Sequence, residues 1–587
     1  LEQTIEIIEA TKKIKIDLDT IPLDDQKTFR LFQNGETTGV FQLESGGMKR
    51  YLKQLRPTEL EDIIAMVSLY RPGPMEFIPD YVAGKNGSKK VNYLHPRLEP
   101  ILKNTYGIAI YQEQIMRIAR DLAGFSYGEA DVLRKAVGKK IKDLLVEQEA
   151  KMVSGMIKNG IDKHTANKIW EFILPFARYG FNRSHAVCYA MIAYQTAYLK
   201  ANYPEAFMAA LLSSDQDNID RVTIEIKECH KMGMEVLPPD VNESFSNFSV
   251  VESKDKSQLG KIRFGLNAVK NVGHNIAKVI IKERKANGFY QSVENLLSRI
   301  KDKDLNKKSL ESLVKAGALD SLIKRGQALG NLDKLLEFNK KIQNDYKNGQ
   351  SNLFADLPLA APIMSLKLDD YPDTDNQKRL SWEKELLGLY ISDHPFKKNL
   401  EILKNSITSI KQLKNKEGQM VKVAGIITSI HKIVTHKGQA MLFVTIEDSN
   451  GSVELVVFPK ILETSYQLWK DENQVIAEGK VSEKDGQPKL LVERAELISA
   501  ETINDAAIKN MAEKKLWLKL PPHFNKEDTA KLKQILQDKK GLTPVYLEIS
   551  NGQKRIVKTD LKVLPAEELK NTILEFLGQD SWKLTDN

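Results

Sequence analysis

The chain has 587 residues, which is too long for one hydrophobic core, so we expect about four domains. Its 87 basic and 78 acidic residues give a net charge of +9, a basic but mixed balance that suits a polyanionic partner without requiring one. The two cysteines follow no metal-site or disulfide pattern, no signal peptide is visible and no apolar run reaches the length of a membrane span, which excludes secreted disulfide modules and membrane proteins and predicts a cytoplasmic protein.

Residues 1–240 are predicted to be mostly helical. Two stretches interrupt the helical pattern, GETTGVFQLES at residues 35–45 and YRPGP at residues 70–74, and both predict ordered corners. The chain begins at Leu1 inside a helical pattern and has no initiator methionine, so we expect it to be a fragment of something longer.

Residues 105–126 predict a short strand or turn that leads into an amphipathic helix, and the stretch ADVLRKAVGKKIKD follows at residues 130–143. On a helix, Lys135 and Lys139 share one face, with Arg134 and Lys140 beside them. Such a face is often only solvated, but its basic density favours a phosphate-binding role.

The segment at residues 176–200 joins a polar loop, YGFNRSH, to an apolar helix that we expect to start near Ala186. Gly180 permits a sharp turn, and either Asn182 or Ser184 can cap the helix. Free amides at a helix start bind anions, and Arg183 and His185 add donors for phosphate or sugar oxygens. The alternative is a capped core helix with a solvated arginine. We expect Cys188 to be buried in this helix.

Two glycine hairpins are predicted further along. The first places Lys270, Asn271 and Gly273 between two helices, and the second repeats the pattern around Lys315 and Gly317. A helix-hairpin-helix exposes backbone amides to a DNA phosphate, so a tandem pair would hold duplex backbone without reading sequence. The second hairpin can also be purely structural.

Residues 413–500 alternate apolar and polar positions, with turns at Lys437-Gly438 and Asn450-Gly451, and predict an OB-fold barrel of about five strands. Such barrels bind single strands through basic and aromatic side chains. The candidates are Lys422, Lys432, Lys437, Phe443 and Phe458, although the two phenylalanines fit the core better. Residues 501–587 predict a small α/β module.

Six strings in the first 240 residues carry a family resemblance: FQLESGGMK, YRPGP, YGIAIYQEQ, LRKAVGKK, YGFNRSHAVCYA and YQTAYLKANYPEAFMAALL. Together they resemble the fingers region of the bacterial replicative DNA polymerase, the DNA polymerase III alpha subunit. The resemblance implies a multidomain α+β chain: fingers (1–240), a tandem helix-hairpin-helix and clamp-binding domain (241–357), a linker with a helical segment (358–412), an OB-fold domain (413–500) and a C-terminal module (501–587) that binds the clamp-loader tau subunit.

The resemblance also implies roles for particular residues. Arg134 and Lys135 would contact the triphosphate of an incoming deoxynucleotide, and the family usually has a second arginine where Lys135 stands. Asn182, Arg183 and His185 would lie near the triphosphate or sugar, with a capping role for His185 equally open. Gln350, Leu353 and Phe354 in QSNLF fit the peptide that the bacterial sliding clamp (beta) binds, an extended segment with two apolar anchors.

The family's polymerase chemistry uses three palm aspartates that bind two metal ions, and no such motif occurs here. Asp17 and Asp19 have a suitable spacing but fit a linker stretch of the family. The resemblance therefore implies the C-terminal half of a DNA-directed DNA polymerase that needs Mg²⁺ and binds primer-template DNA, with no polymerase activity in this fragment alone. The alternatives are a non-catalytic nucleic-acid-binding scaffold of hairpin and OB modules, or an error-prone paralogue, which QSNLF and the full tail disfavour.

Overall fold

The structure is a computed structural model, and it describes all residues except 139–141, 254, 256–258, 348–365, 436, 449–450, 484–487, 513, 522, 552 and 587. The chain divides into two compact units, Leu1–Ser392 and Asp393–Asn587. No helix in the described parts is long and apolar enough to cross a membrane.

The first part of the N-terminal unit is helical, as predicted. Side-chain caps begin several of its helices, as where Asp25 accepts from the Thr28 amide and Asp162 from the Thr165 amide. The helices are α1 (Glu2–Lys12), α2 (Gln26–Asn34), α3 (Gly46–Leu55), α4 (Leu60–Leu69), α5 (Ile78–Lys85), α6 (Glu99–Leu102), α7 (Gln112–Ala123), α8 (Tyr127–Gly138), α9 (Lys142–Lys158), α10 (Lys163–Tyr179), α11 (Arg183–Asn202), α12 (Pro204–Ser214) and α13 (Ile219–Lys231).

Helix α11 is the centre of one core of this unit. Ala186, Ala190, Ala193 and Ala197 are buried along one face, where their small side chains let α2 and α4 approach closely. Tyr194 is buried on the same face and donates to the Pro22 carbonyl at 2.8 Å. The helix begins three residues earlier than expected, at Arg183.

The expectation that Cys188 is buried was wrong, because it is exposed. Position 188 lies two residues after Ala186, about 200° around the helix from the alanine face, so it points away from the core. Gly180 has φ −53°, which any residue adopts, so the turn before α11 does not require a glycine. Cys229, on α13, is buried.

The rest of the N-terminal unit packs a small sheet against helices. Strand β3 runs parallel to β1 and antiparallel to β2. The core beside this sheet includes Phe207 of α12 and Leu387. Residues before and after position 240, the predicted end of the fingers, therefore share one core. The elements are β1 (Val236–Leu237), β2 (Ser249–Val251), β3 (Lys261–Arg263), α14 (His274–Asn287), α15 (Val293–Arg299), α16 (Lys307–Lys315), α17 (Arg325–Gly330), α18 (Leu332–Lys347) and α19 (Asn376–Leu387).

The helix expected before the first hairpin is absent. Residues 261–263 form β3 instead, and only a short 3-10 turn, Leu266–Ala268, precedes the hairpin. Gly265 explains the break: a Cβ there would lie 2.6 Å from the Ser246 carbonyl oxygen, so backbone from residues 246–247 crosses closely at this point.

The C-terminal unit begins with α20 (Lys397–Leu403) and contains the closed five-stranded barrel that the alternation predicted. Its strand order, β4-β5-β6-β8-β7, is that of an OB fold. A helix between the third and fourth strands was not predicted. The elements are β4 (Met420–Val434), β5 (Ala440–Asp448), β6 (Gly451–Val457), α21 (Pro459–Ser465), β7 (Gln474–Ser482) and β8 (Lys489–Leu497).

The last module is a four-stranded sheet of order β11-β10-β9-β12. The small α/β module predicted for residues 501–587 is confirmed. Leu516 and Leu518 of β9 are buried with Leu532 of α23 and Ile573 of α24, so these two helices cover one face of the sheet. The elements are α22 (Ala500–Ala512), β9 (Lys514–Leu520), α23 (Lys526–Asp538), β10 (Lys540–Asn551), β11 (Gln553–Val563), α24 (Glu567–Leu577) and β12 (Trp582–Asp586).

Candidate nucleotide and nucleic-acid interface

The start of α11 is an exposed, tightly held corner. Asn182 caps the helix by accepting from the His185 amide at 2.9 Å. Phe181 forms a parallel bridge with Tyr111, and its carbonyl accepts from the Gln112 amide at 3.0 Å. The loop expected from the sequence is therefore fixed to the first residues of α7.

Arg183 is held by acidic residues from two other helices. Its guanidinium donates to Glu61 at 2.6 Å, and its backbone amide donates to Glu113 at 3.1 Å. Glu113 thus occupies part of the anion position at the helix start. A phosphate bound here would have to compete with this carboxylate.

His185 is exposed and lies among half-buried aromatic rings, a group that the sequence did not predict. Its ring lies 4.3 Å from Tyr189 and 5.5 Å from Phe181, and Phe41 lies 5.4 Å from Tyr189. Arg71, from the YRPGP corner, lies over Phe181 at 4.7 Å. Flat rings beside a guanidinium suit a nucleobase or its phosphates.

A buried lysine fixes the loop that carries Phe41. Lys200 donates to the carbonyls of Glu36 and Thr38 at 2.7 and 2.9 Å and pairs with Glu228 at 2.6 Å. Burial lowers the pKa of Lys200, while the pairing lowers the pKa of Glu228. This bond set joins the GETTGVFQLES corner to α11 and α13.

Arg134 and Lys135 share one carboxylate on α8. Arg134 donates to Asp131 at 2.7 Å, and Lys135 does so at 2.7 Å. These bonds lower the pKa of Asp131. Among the described contacts, none joins this pair to the start of α11. Lys139 and Lys140 lie outside the described residues.

The first hairpin presents an open helix start. Gly273 precedes α14 with no side-chain cap, and a Cβ added to it would meet nothing within 4 Å. Lys270 and Gly273 are exposed. Asn271 adopts φ 68° and donates to Ser312 at 3.2 Å, which holds the loop against α16. The amides of α14 are therefore available to a phosphate.

The side of this helix start is not purely basic. Asn275, in the first turn, donates to Asp302 at 3.2 Å and to Asp304 at 2.8 Å. Lys301 and Lys303 alternate with these acids in the same loop. The charge of the acids is thus offset by neighbouring lysines.

The second hairpin is closed by its own side chains. A Cβ on Gly317 would lie 2.2 Å from a guanidinium nitrogen of Arg325, which itself pairs with Asp320. Lys315 pairs with Glu311 at 2.6 Å and lies over Trp382 at 5.7 Å. This geometry supports the structural alternative for Lys315 and Gly317.

Two of the three candidate lysines, Lys422 and Lys437, lie on different parts of the barrel. Lys437 is exposed in the turn between β4 and β5. Lys422 lies on β4 where it pairs with β7, and it contacts Glu496 at 3.8 Å. The face of strands β5 and β6 with its adjoining loops is the usual binding side of an OB fold, so Lys437 borders it and Lys422 does not.

Phe443 and Phe458 are not in the barrel core. Phe443 points outward from β5, half-buried, with Lys489 5.7 Å from its ring, and Phe458 is 43% exposed. The inward positions on β5 are filled by Leu442, Val444 and Ile446. The expectation that the phenylalanines fit the core was therefore wrong. Lys432 is exposed on β4.

Gln350, Leu353 and Phe354 lie outside the described residues, so their proposed clamp peptide remains a sequence prediction. Within the described ranges, no group of three or more His, Cys, Asp or Glu side chains could hold a metal ion. Asp17 and Asp19 are exposed in a loop, where Asp17 accepts from the Asp19 amide at 3.0 Å. These residues do not fit a Mg²⁺ site.

Three family models match consecutive parts of the chain. Residues 1–160 match the bacterial DNA polymerase III alpha subunit finger domain, residues 233–328 a helix-hairpin-helix motif, and residues 421–498 an OB-fold nucleic acid binding domain. Fold and matches together define a polymerase-type chain in which a fingers domain precedes two modules of nucleic-acid-binding type.

Curated relatives align along nearly the whole chain. DNA polymerase III subunit alpha of Borreliella burgdorferi is 38% identical over 99% of this chain and 49% of its own length. Those of Halalkalibacterium halodurans and Thermus aquaticus are 39% and 37% identical, over 95% and 94% of this chain and 48% and 44% of their own length. The chain belongs to the DNA polymerase III alpha subunit family, and it spans about half the length of the curated relatives it matches.

Among solved structures, asparaginyl-tRNA synthetase from Pyrococcus horikoshii, complexed with asparaginyl-adenylate, matches at 20% identity over 22% of this chain and 32% of that chain. Its TM-score is 0.14, so the likeness carries no argument.

Proposed function

We propose that this chain is the C-terminal portion of a cytoplasmic, DNA-directed DNA polymerase III alpha subunit, and that it binds primer-template DNA and the incoming deoxynucleoside triphosphate. The whole protein would add deoxynucleotides to a primer 3′ end. The open start of α14 carries the proposal, because it leaves amides of a 14-residue helix without a side-chain cap beside the exposed Lys270.

The nucleotide would be held by the fingers. Arg134 and Lys135 form one candidate phosphate group, and Asn182, Arg183 and His185 form another with the aromatic rings beside them. Arg183 and the basic pair are engaged with Glu61 and Asp131 in this structure. Binding a triphosphate would exchange these carboxylates for phosphate oxygens, which bind arginine in a similar two-pronged geometry.

DNA would contact the first hairpin through Lys270, Asn271 and Gly273, and the barrel through Lys437 and the outward-facing Phe443. Lys422, Lys315 and Gly317 would lie near DNA. Each of them already has a partner within the protein: Glu496 for Lys422, Glu311 for Lys315 and Arg325 for Gly317. The proposed partners are the sliding clamp, through Gln350, Leu353 and Phe354, and the clamp-loader tau subunit, through residues 501–587.

The whole enzyme would require Mg²⁺. The described residues do not supply its ligands, so we assign them no step in nucleotide transfer. The residues of this chain would instead position the nucleotide and hold the duplex.

Lys270 and Lys315 belong to the first and the second predicted hairpin, and substitutions of these two lysines test the proposal. Lys270→Ala should weaken binding of labelled primer-template DNA and reduce the slope of log affinity against log salt by about 0.9, because one phosphate contact is lost. Lys315→Ala, the matched control, should leave both quantities unchanged, since Lys315 is paired with Glu311.

Fluorescence anisotropy over a salt series measures both quantities. Equal effects of the two substitutions, or no effect of Lys270→Ala, would remove the first hairpin from the DNA interface.

A further inference from the structure

The C-terminal module has one covered and one open sheet face. On β9, Leu516, Leu518 and Leu520 point to α23 and α24 and are buried. The alternating residues Lys515, Trp517 and Lys519 point to the opposite face, where they are half-buried or exposed. In the core that holds the sheet, the described packing partners come from α23 and α24.

A row of four side chains crosses the open face. Trp517 is directly paired with Tyr546 of β10 and with Lys583 of β12, and Tyr546 is directly paired with Lys558 of β11. Directly paired residues place their side chains on the same face. The order across the sheet is therefore Lys558, Tyr546, Trp517, Lys583.

The two aromatic rings in this row are stacked. Their centroids are 4.8 Å apart with an interplanar angle of 24°. The indole nitrogen of Trp517 donates to Thr585 at 2.9 Å, which fixes the ring, and Lys515 lies over Tyr546 at 6.0 Å. The rings stand on the two central strands, so the platform is rigid before any ligand binds.

The charge of this face is predominantly positive. Lys562 is paired with Pro544 in the row before Tyr546 and is exposed, as are Lys519, Lys558 and Lys583. The acids near them are Glu548, which is paired with Lys519 across the strands, and Asp560, which lies in the bulge of the edge strand. Among the described residues, no carboxylate forms an ion pair with Lys519, Lys558 or Lys583.

We propose that this open sheet face binds single-stranded nucleic acid, with unpaired bases on the Trp517–Tyr546 platform and phosphates on the flanking lysines. Every base offers a flat face to an aromatic ring, and a four-stranded sheet with aromatics on its central strands is a known geometry for stacking unpaired bases. The lysines at both ends of the row lie where a strand crossing the platform would place its backbone.

The charge pattern selects this occupant over an apolar peptide. Lysines of β9, β11 and β12 surround the rings, whereas the centre of a protein–protein interface is usually depleted of lysine. Duplex DNA fits less well, because its bases are already stacked and cannot lie on the rings.

The test uses the full chain and short oligothymidylate carrying a photoreactive 5-iodouracil, with oligouridylate as the RNA arm. Irradiation followed by peptide mapping should place cross-links on Trp517 or Tyr546. Mapping separates this face from the hairpin and the barrel, so the test does not depend on whether those regions bind DNA. Equal cross-linking of the two oligonucleotides would show that the face does not distinguish DNA from RNA. A preference for one of them would identify which nucleic acid the face binds.

Charge reversal provides the matched comparison. Lys558→Glu with Lys583→Glu should reduce the platform cross-link about tenfold, since two phosphate contacts are replaced by repulsion. Lys526→Glu with Lys531→Glu changes the same number of exposed lysines on α23, on the other side of the sheet, and should leave it intact. Tyr546→Leu should reduce it by a similar factor through lost stacking.

Thermal unfolding of the two charge variants should match wild type, because all four lysines are exposed. Cross-links confined to other regions, or equal losses in both double variants, would overturn the proposal. A face that serves a protein partner instead would give the first of these results.

Discussion

At the scale of single residues, Glu225 shows that burial can outweigh a neighbouring cation. The cation is Arg221, which contacts three carboxylates: Glu44 at 3.1 Å, Asp215 at 3.2 Å and Glu225 at 3.3 Å. One positive charge cannot balance three negative ones, and Glu225 is the most buried of the three. Burial, with the nearby Asp215, raises the pKa of Glu225 to about 9.

Glu225→Gln should therefore change how stability depends on pH. A raised pKa means that the stabilising effect of the neutral carboxyl is complete below about pH 4.5 and is lost as pH rises through about 9. Glutamine does not titrate, so the variant should gain on wild type by up to about 1.4 kcal/mol per pH unit in that window. Urea denaturation at about pH 5.5 and about pH 8.5 measures this difference. Parallel pH profiles would show that Glu225 is ionised in the folded protein.

At the scale of elements, glycines inside helices report how closely neighbouring helices pack. Gly155 lies in the last turn of α9, and a Cβ there would come within 2.2 Å of the Ala123 carbonyl oxygen at the end of α7. Gly128 lies near the start of α8, and a Cβ there would meet nothing within 4 Å. The sequence alone gives both positions the same helix propensity, so only packing separates them.

Gly155→Ala should destabilise the chain by roughly 1–3 kcal/mol, because the clash with backbone outweighs the helix propensity of alanine. Gly128→Ala is the control and should stabilise it by about 0.5–1 kcal/mol. Comparing the denaturation midpoints of the two variants with that of the wild type measures both stability changes. If Gly155→Ala were as stable as Gly128→Ala, α7 and α9 would not pack as closely as described.

At the scale of the whole molecule, the chain combines two compact units whose cores are built separately. The segment proposed to bind the sliding clamp lies in the N-terminal unit but outside its described residues. Its prediction rests on sequence: an extended peptide with two adjacent apolar anchors and one orienting glutamine.

The full chain should bind a bacterial sliding clamp, and Phe354→Ala should weaken that binding by tenfold or more, because one apolar anchor of the peptide is removed. Titration by calorimetry or surface plasmon resonance measures the change. Phe289→Ala removes a phenylalanine that is 64% exposed elsewhere in the same unit and serves as the control. Equal binding of Phe354→Ala and wild type would refute the clamp peptide and favour a non-catalytic scaffold.

Local patterns predicted the elements that depend on local chemistry. The alternation of β4 to β6 gave the barrel, and Asn182 was recognised as a possible cap of α11 because a cap needs only the next three residues. The ion pair of Arg134 with Asp131 could also be predicted, since residues at positions i and i+3 of one helix lie side by side. Strands β2 and β3 were not predicted, because strands of three residues carry no periodic signal.

The sequence by itself therefore determined the family, the order of the modules and most helices and strands, because each follows from contiguous residues. Only the tertiary structure decided which candidate residues are open. It closed Gly317 against Arg325, brought Glu61 and Glu113 onto Arg183, and aligned Trp517 with Tyr546 across two strands. Each of these contacts depends on chain folding and strand register, which no local spacing encodes.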